Sequence, residues 1–112
     1  MMHTNTLGIQ PPYYAVIFSS RLNSENDPDY QLTARHMEEL ASQQPGYLGV
    51  ESVRDDEGKG ITVSYWKDLQ AIKRWKQQVD HLSAQASGKS KWYRSYNVKI
   101  SLVEKSYGFE HI

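Results

Sequence analysis

The stretch Tyr13-Tyr14-Ala15-Val16-Ile17-Phe18 is apolar on both of its alternating faces. Rich in β-branched and aromatic types, it reads as a strand that continues through Ser20. Successive side chains of a strand point to opposite sides of its sheet, so Tyr14, Val16 and Phe18 share one face and Tyr13, Ala15 and Ile17 the other. A strand with one face in water alternates apolar with polar residues. This one does not, so any fold it enters has to shelter it on two sides.

The rest of the chain supplies a definite order of elements. Residues 1–12 form a polar lead-in closed by Pro11-Pro12, expected to be flexible, and residues 13–112 form one domain. Asp27 and Pro28 are a cap and a first helical residue. Tyr30, Thr33, Ala34, Met37, Leu40, Ala41 and Gln44 then recur at the spacing of one buried helix face, and Pro45-Gly46 stops the helix. A strand over 47–54, a turn over 55–60 with glycines for positive φ, and a strand over 61–66 make a hairpin. Asp68 caps a second helix whose apolar stripe is Ile72, Trp75, Val79, Leu82 and Ala86, ending at Gly88. Trp92-Tyr93 leads to a last strand over 96–104, and a short tail carries Tyr107 and Phe109.

Strand–helix–strand, hairpin, helix–strand is the order of the ferredoxin-like split βαβ unit, an α+β fold with a four-stranded antiparallel sheet. Both helices then cover the same face. The other face of the first strand needs a cover that the chain does not contain, and a second copy is the simplest source, which predicts a homodimer. In the last strand Val98, Ile100 and Leu102 share a face, while Asn97, Lys99 and Ser101 share the other, so the contact is expected to be uneven. Tyr107 and Phe109 are candidates to add to it.

Composition narrows the function classes. Thirteen basic and thirteen acidic residues cancel, which lacks the positive excess that nucleic-acid binding or a polybasic membrane anchor needs. The absence of cysteine excludes a disulfide framework, a thiolate metal site and a cysteine nucleophile. The opening has no apolar run, so no secretory signal is read there. No stretch approaches the roughly 18 apolar residues of a membrane span. A cytoplasmic protein is the expectation. Eight Tyr and three Trp in 112 residues suit either an aromatic core or a ligand pocket, since both side chains combine apolar area with a polar handle.

No phosphate-binding loop, dinucleotide fingerprint or nucleophile elbow is present, and His3, His36, His81 and His111 are too dispersed for a metal site. The most specific polar pattern is Arg74, Gln78, His81 and Gln85, spaced four, three and four apart. That spacing stacks them beside the apolar stripe of the second helix. The column is either a solvated flank or the rim of a cavity between helix and sheet. In the second case His81 can exchange protons near neutral pH and Arg74 can hold an enolate or phenolate. Trp75 lies on the stripe and reads as core. Trp66 alternates with Thr62 and Ser64 and reads either as packing or as a pocket wall, with Trp92, Tyr93 and Tyr96 closing the far end. Asp55, Asp56 and Glu57 read as a solvated hairpin tip rather than a metal site.

Gly46-Tyr47-Leu48-Gly49-Val50-Glu51-Ser52, then Ser64-Tyr65-Trp66-Lys67-Asp68, then Ile72, Trp75 and His81, then Trp92-Tyr93, and last Val103-Glu104 with Tyr107-Gly108-Phe109, together resemble the antibiotic biosynthesis monooxygenase family from about Tyr13 to Phe109. The resemblance implies a dimeric α+β barrel. It also implies, for some members, oxygenation of a small electron-rich aromatic without metal, flavin or haem, the substrate itself supplying the electrons. On that reading Arg74 and His81 handle the anion and the proton. Trp66 and Tyr65 are wall or hydrogen-bonding groups, and Gln78, Gln85, Trp75 and Trp92 complete the ligand contacts. A related haem-degrading branch uses an Asn on the first strand and a Trp and a later His on the second helix. Trp75 matches that Trp, but Gln85 stands at the His position, His81 lies one turn early and the first strand has no Asn. Haem degradation therefore ranks below cofactor-free oxygenation and below a non-catalytic role in binding a small hydrophobic ligand.

Overall fold

The chain runs β1 (Tyr13–Leu22), α1 (Pro28–Ser42), β2 (Tyr47–Arg54), β3 (Lys59–Trp66), α2 (Leu69–Ala86) and β4 (Tyr93–Val103) in a computed structural model. It describes residues 8–23, 28–86 and 92–111, the side chains of Asp29 and of residues 81–86 excepted. The four strands form one antiparallel sheet in the order β2-β3-β1-β4. This is the ferredoxin-like βαββαβ arrangement that the order of elements predicts.

Each boundary has a local cause. The seven positions expected to face inward, six on α1 and Gln44 just beyond it, are all buried or half-buried. Its last turn tightens as Gln43 N–H donates to the Leu40 carbonyl and Gln44 N–H to the Ala41 carbonyl, which ends the helix two residues earlier than the spacing predicts. Gly46 then takes φ +86°. Asp68 caps α2, its Oδ1 accepting from Ala71 N–H at 2.8 Å. Asp27, read as the α1 cap, and Gly88, read as the α2 stop, lie outside the described residues. At the hairpin tip the Asp55 carboxylate accepts from the Glu57 and Lys59 N–H groups, both at 2.9 Å, and Gly58 takes φ +85°. The Lys59 N–H above all holds the Asp55 carboxyl below its ordinary pKa. The acidic cluster thus shapes a turn, and among the described residues no group of His, Asp and Glu side chains could hold a metal ion.

Register fixes the two faces. Tyr14 pairs with Trp66 and Leu102, Val16 with Ser64 and Ile100, and Phe18 with Thr62 and Val98. This set lies on the helix side, where Ala41, Trp66, Ala71 and Ile72 form the core, flanked by Tyr14, Val16, Tyr47 and Trp75. No β4 residue belongs to that cluster. On the helix-free side the shelter of β1 is partly internal. Ala15 sits between Tyr65 of β3 and Ser101 of β4, the Tyr13 ring meets Tyr65 edge-on at 5.8 Å, and Tyr13 and Ala15 are only 3% and 5% exposed. Bulky tyrosines on adjacent strands therefore do part of the work that sequence alone assigns to a second copy. Val53 and Ile61 on the same face stay exposed. No described helix is long and apolar enough to cross a membrane.

Candidate functional site

The residues singled out in the sequence fall into separate environments. Trp66 has no exposed surface at all. Its indole meets Tyr47 edge-on at 5.7 Å and stacks on Trp75 at 6.1 Å, while its Nε1–H donates to Ser64 Oγ at 2.9 Å. It anchors the core, and half-buried Trp75 packs against it. Tyr65 points through the opposite face and donates its hydroxyl to Glu51 Oε2 at 2.6 Å. Burial, then the Glu51 carboxylate, push its phenol pKa far up, away from proton exchange near neutrality. Trp66 and Tyr65 therefore cannot line one pocket of this sheet. Arg74 and Gln78 lie exposed on α2. His81 and Gln85 belong to the same helix, but their side chains lie outside the described residues.

A second constellation sits at the other end of the sheet, on the helix side, and is built around Arg54. This last residue of β2 pairs with Gly60 on β3. A Cβ on Gly60 would lie 2.5 Å from the guanidinium carbon, so the missing side chain is what lets Arg54 lie across β3. It thereby reaches β1 and α1. Nη1 donates to the Gly58 carbonyl at 2.6 Å, and Nη2 to Ser20 Oγ and Tyr30 Oη, each at 3.1 Å. The guanidinium carbon is 5.7 Å from the centre of the Tyr30 ring. All three acceptors are neutral. No described carboxylate forms an ion pair with the half-buried Arg54 cation.

A chain of touching aromatic rings leads away from this cation through Tyr30. Tyr30 meets Trp92 and Tyr93 edge-on at 6.0 and 5.9 Å. Tyr93 meets Phe18 edge-on at 5.5 Å, and Phe18 stacks on Tyr96 at 5.5 Å. Burial first, and then Tyr30, push the Tyr93 phenol pKa up, so at neutral pH it is a hydrogen-bond donor and not a base. The buried Trp92 Nε1–H has no partner among the described residues. From this nest an apolar strip runs along the helix side of β4, where Tyr96, Val98, Ile100 and Leu102 remain 45% to 53% exposed. The core lies towards β2 and β3, and neither helix seals this edge. On the opposite, helix-free face, Val53, Asp55, Lys59 and Ile61 line an open groove of about 280 Å³ that Arg54 and Gly60 also border.

Sequence reasoning had Trp92, Tyr93 and Tyr96 closing one end of a cavity and missed Arg54, Ser20, Tyr30 and Phe18. The available signal was a serine pair ending an apolar strand and glycines at 58 and 60 where an arginine across the hairpin could lie. Together the group offers flat aromatic walls, a permanent cation and hydroxyl donors. Such a site suits a planar aromatic that carries or develops negative charge on oxygen.

The family model of the antibiotic biosynthesis monooxygenases matches residues 13–87. The chain belongs to that family. YqjZ of Bacillus subtilis (strain 168) is 52% identical over 101 residues, covering 90% of this chain and 88% of YqjZ. Among solved structures, SnoaB, a cofactor-independent oxygenase from Streptomyces nogalater, superposes with a TM-score of 0.70 at 11% identity, over 86% of this chain and 97% of that one. A dabb family protein with a ferredoxin-like fold from Mesorhizobium loti gives 0.62 at 12% identity, over 85% and 100%. At such identities the two structures establish the fold. Family membership rests on the family model and on the Bacillus relative.

Proposed function

We propose that this member of the family is a cofactor-independent monooxygenase that oxidises a small, electron-rich aromatic on the helix side of its sheet. The observation that carries the reading is the cluster of Phe18, Tyr30, Trp92, Tyr93 and Tyr96 that meets Arg54 at Tyr30 and continues into the exposed apolar strip of β4. In an anthrone-type reaction the ring methylene becomes a carbonyl. Two hydrogens leave the substrate, one atom of O₂ enters it and the other departs as water, so no outside reductant is needed. The protein has to hold the substrate anion, take up its proton and keep solvent from the intermediate. α2 starts beside Trp66 and ends seven residues before Tyr93, so it runs towards the nest. His81 on that helix is the proton acceptor and Arg74 a second cation, with Gln78, Gln85 and Trp92 as ligand contacts.

Oxygen uptake with hydroxyanthrones and quinols, repeated with His81→Ala, Arg74→Ala and Phe18→Ala, tests this. Uptake by the wild type that falls in His81→Ala supports it. Equal rates in the wild type and all three variants would remove the site from the reaction. A ligand that raises the melting temperature without any oxygen consumption would favour a non-catalytic binding protein on the same fold.

We also propose that two copies pair through their helix-free faces. The support is the apolar set Ile17, Val53, Ile61 and Val63 on a face that no described helix covers.

A further inference from the structure

We infer that Arg54 and Tyr30 form the oxyanion-binding point of the site, and that the ligand is a planar hydroxyaromatic bound as its monoanion. The inference rests on the helix-side site proposed above and assigns to Arg54 the charge-holding role that sequence alone gives to Arg74. Arg74 stands exposed on α2, whereas Arg54 is half-buried and held in place from three elements, β1, α1 and the hairpin. A guanidinium has five N–H donors, and the described contacts of Arg54 engage donors on Nη1 and Nη2 only. Every described partner of Arg54 is a neutral oxygen; a half-buried cation with such partners gains from an oxyanion brought to its remaining donors.

The neighbours fit the same ligand. Tyr30 accepts from Arg54 through its hydroxyl oxygen, which polarises the phenol as a donor to a second oxygen. Tyr93 meets the Tyr30 ring edge-on at 5.9 Å, which holds that ring in place beside the cation. Phe18, Tyr93 and Tyr96 pack against one another at 5.5 to 5.9 Å, so a flat ligand would lie on the outer side of this packed group, where Tyr96 is 46% exposed. A neutral aromatic would use that outer side and leave the guanidinium uncompensated. The anion uses both.

Lawsone, a hydroxynaphthoquinone that is ionised at neutral pH and already oxidised, is a suitable probe, with its O-methyl ether as the neutral control. Binding is read by quenching of tryptophan fluorescence. The wild type should bind lawsone tighter than the ether by about tenfold or more, the effect of a hydrogen bond to a charged group. Arg54→Gln should abolish that preference while leaving the ether's affinity nearly unchanged, and Arg54→Lys should keep part of it. Should Arg54→Gln fail to fold, Tyr30→Phe keeps the ring, removes the hydroxyl and should reduce the preference several-fold. Equal affinity for lawsone and its ether in the wild type, no binding of either, or an unchanged preference in folded Arg54→Gln or in Tyr30→Phe overturns the assignment. Because the probe cannot be turned over, the result is independent of oxygen uptake. Uptake without this discrimination would keep the proposed activity and take Arg54 out of it.

Discussion

The indole of Trp66 stacks on that of Trp75, ring centres 6.1 Å apart and planes 25° from parallel, and so ties the last residue of β3 to the helix that follows it. Trp66 also meets Tyr47 of β2 edge-on, so one fully buried side chain joins two strands and α2. Replacing it with alanine leaves a cavity that no neighbour can fill, and Trp66→Ala should lose about 3–5 kcal/mol of stability. Trp75 is only half-buried, so Trp75→Ala should cost less. Urea denaturation monitored by circular dichroism measures both. A Trp66→Ala loss within about 1 kcal/mol would mean that the stack does not hold the core.

Gly46 is the second point at which the core admits no change. It takes φ +86° after α1, and a Cβ there would lie 2.7 Å from the Cβ of Ala71 at the start of α2. Both effects oppose a side chain. Gly46→Ala should therefore destabilise by more than the roughly 1 kcal/mol of the backbone effect alone. Gly8→Ala, where a Cβ meets nothing within 4 Å, should leave the midpoint unchanged. Equal midpoints for the two variants would contradict the close approach of the Pro45-Gly46 turn to α2.

The faces of both helices were legible because burial on a helix follows a fixed period, and the strand order followed from the hairpin and the two crossovers. The environments of Trp66 and Arg54 were not. Trp66 shares a face with Thr62 and Ser64, which suggested a polar pocket. The structure pairs those polar groups instead, Thr62 with Ser52 and Ser64 with the Trp66 indole, and buries Trp66 completely. Arg54 precedes a run of acids at a hairpin tip, where an arginine normally reaches into solvent. Its inward path depends on Gly60, Ser20 and Tyr30, which lie on three other elements, and the last two are 34 and 24 residues away. No periodicity links such partners. Likewise, alternation puts Val98, Ile100 and Leu102 on one face but does not report that the core ends before reaching them.

The tyrosines carry a pH dependence at the alkaline end. Burial, and then the hydrogen bond to Glu51, raise the Tyr65 pKa in the folded chain, and burial raises that of Tyr93. Unfolded tyrosine ionises near pH 10. Below that both states are protonated and the contribution is present in full. Above it the unfolded chain loses its protons first, so stability falls as pH rises. Melting temperatures taken from about pH 8 to about pH 11 should therefore decline more steeply in the wild type than in Tyr65→Phe. Parallel curves would place the Tyr65 phenol in water rather than against Glu51.

The helix-free face makes the prediction on assembly. Val53 is 73% exposed there and Ile61 41%, while the same face of β4 carries Asn97, Lys99 and Ser101, all exposed. A second copy seated on this face would cover the β1, β2 and β3 part most closely, and a stable contact has to bury about 800 Å² per partner. A lysine in the middle of that contact would be stripped of water without a matching anion, at a cost of several kcal/mol. Sedimentation velocity at micromolar concentration should show a dimer for the wild type and a monomer for Ile61→Lys, with the same helical circular dichroism. Leu32→Lys, on the exposed flank of α1, should remain dimeric. A monomeric wild type, or an Ile61→Lys variant that still sediments as a dimer, would show that this face is not where two copies meet.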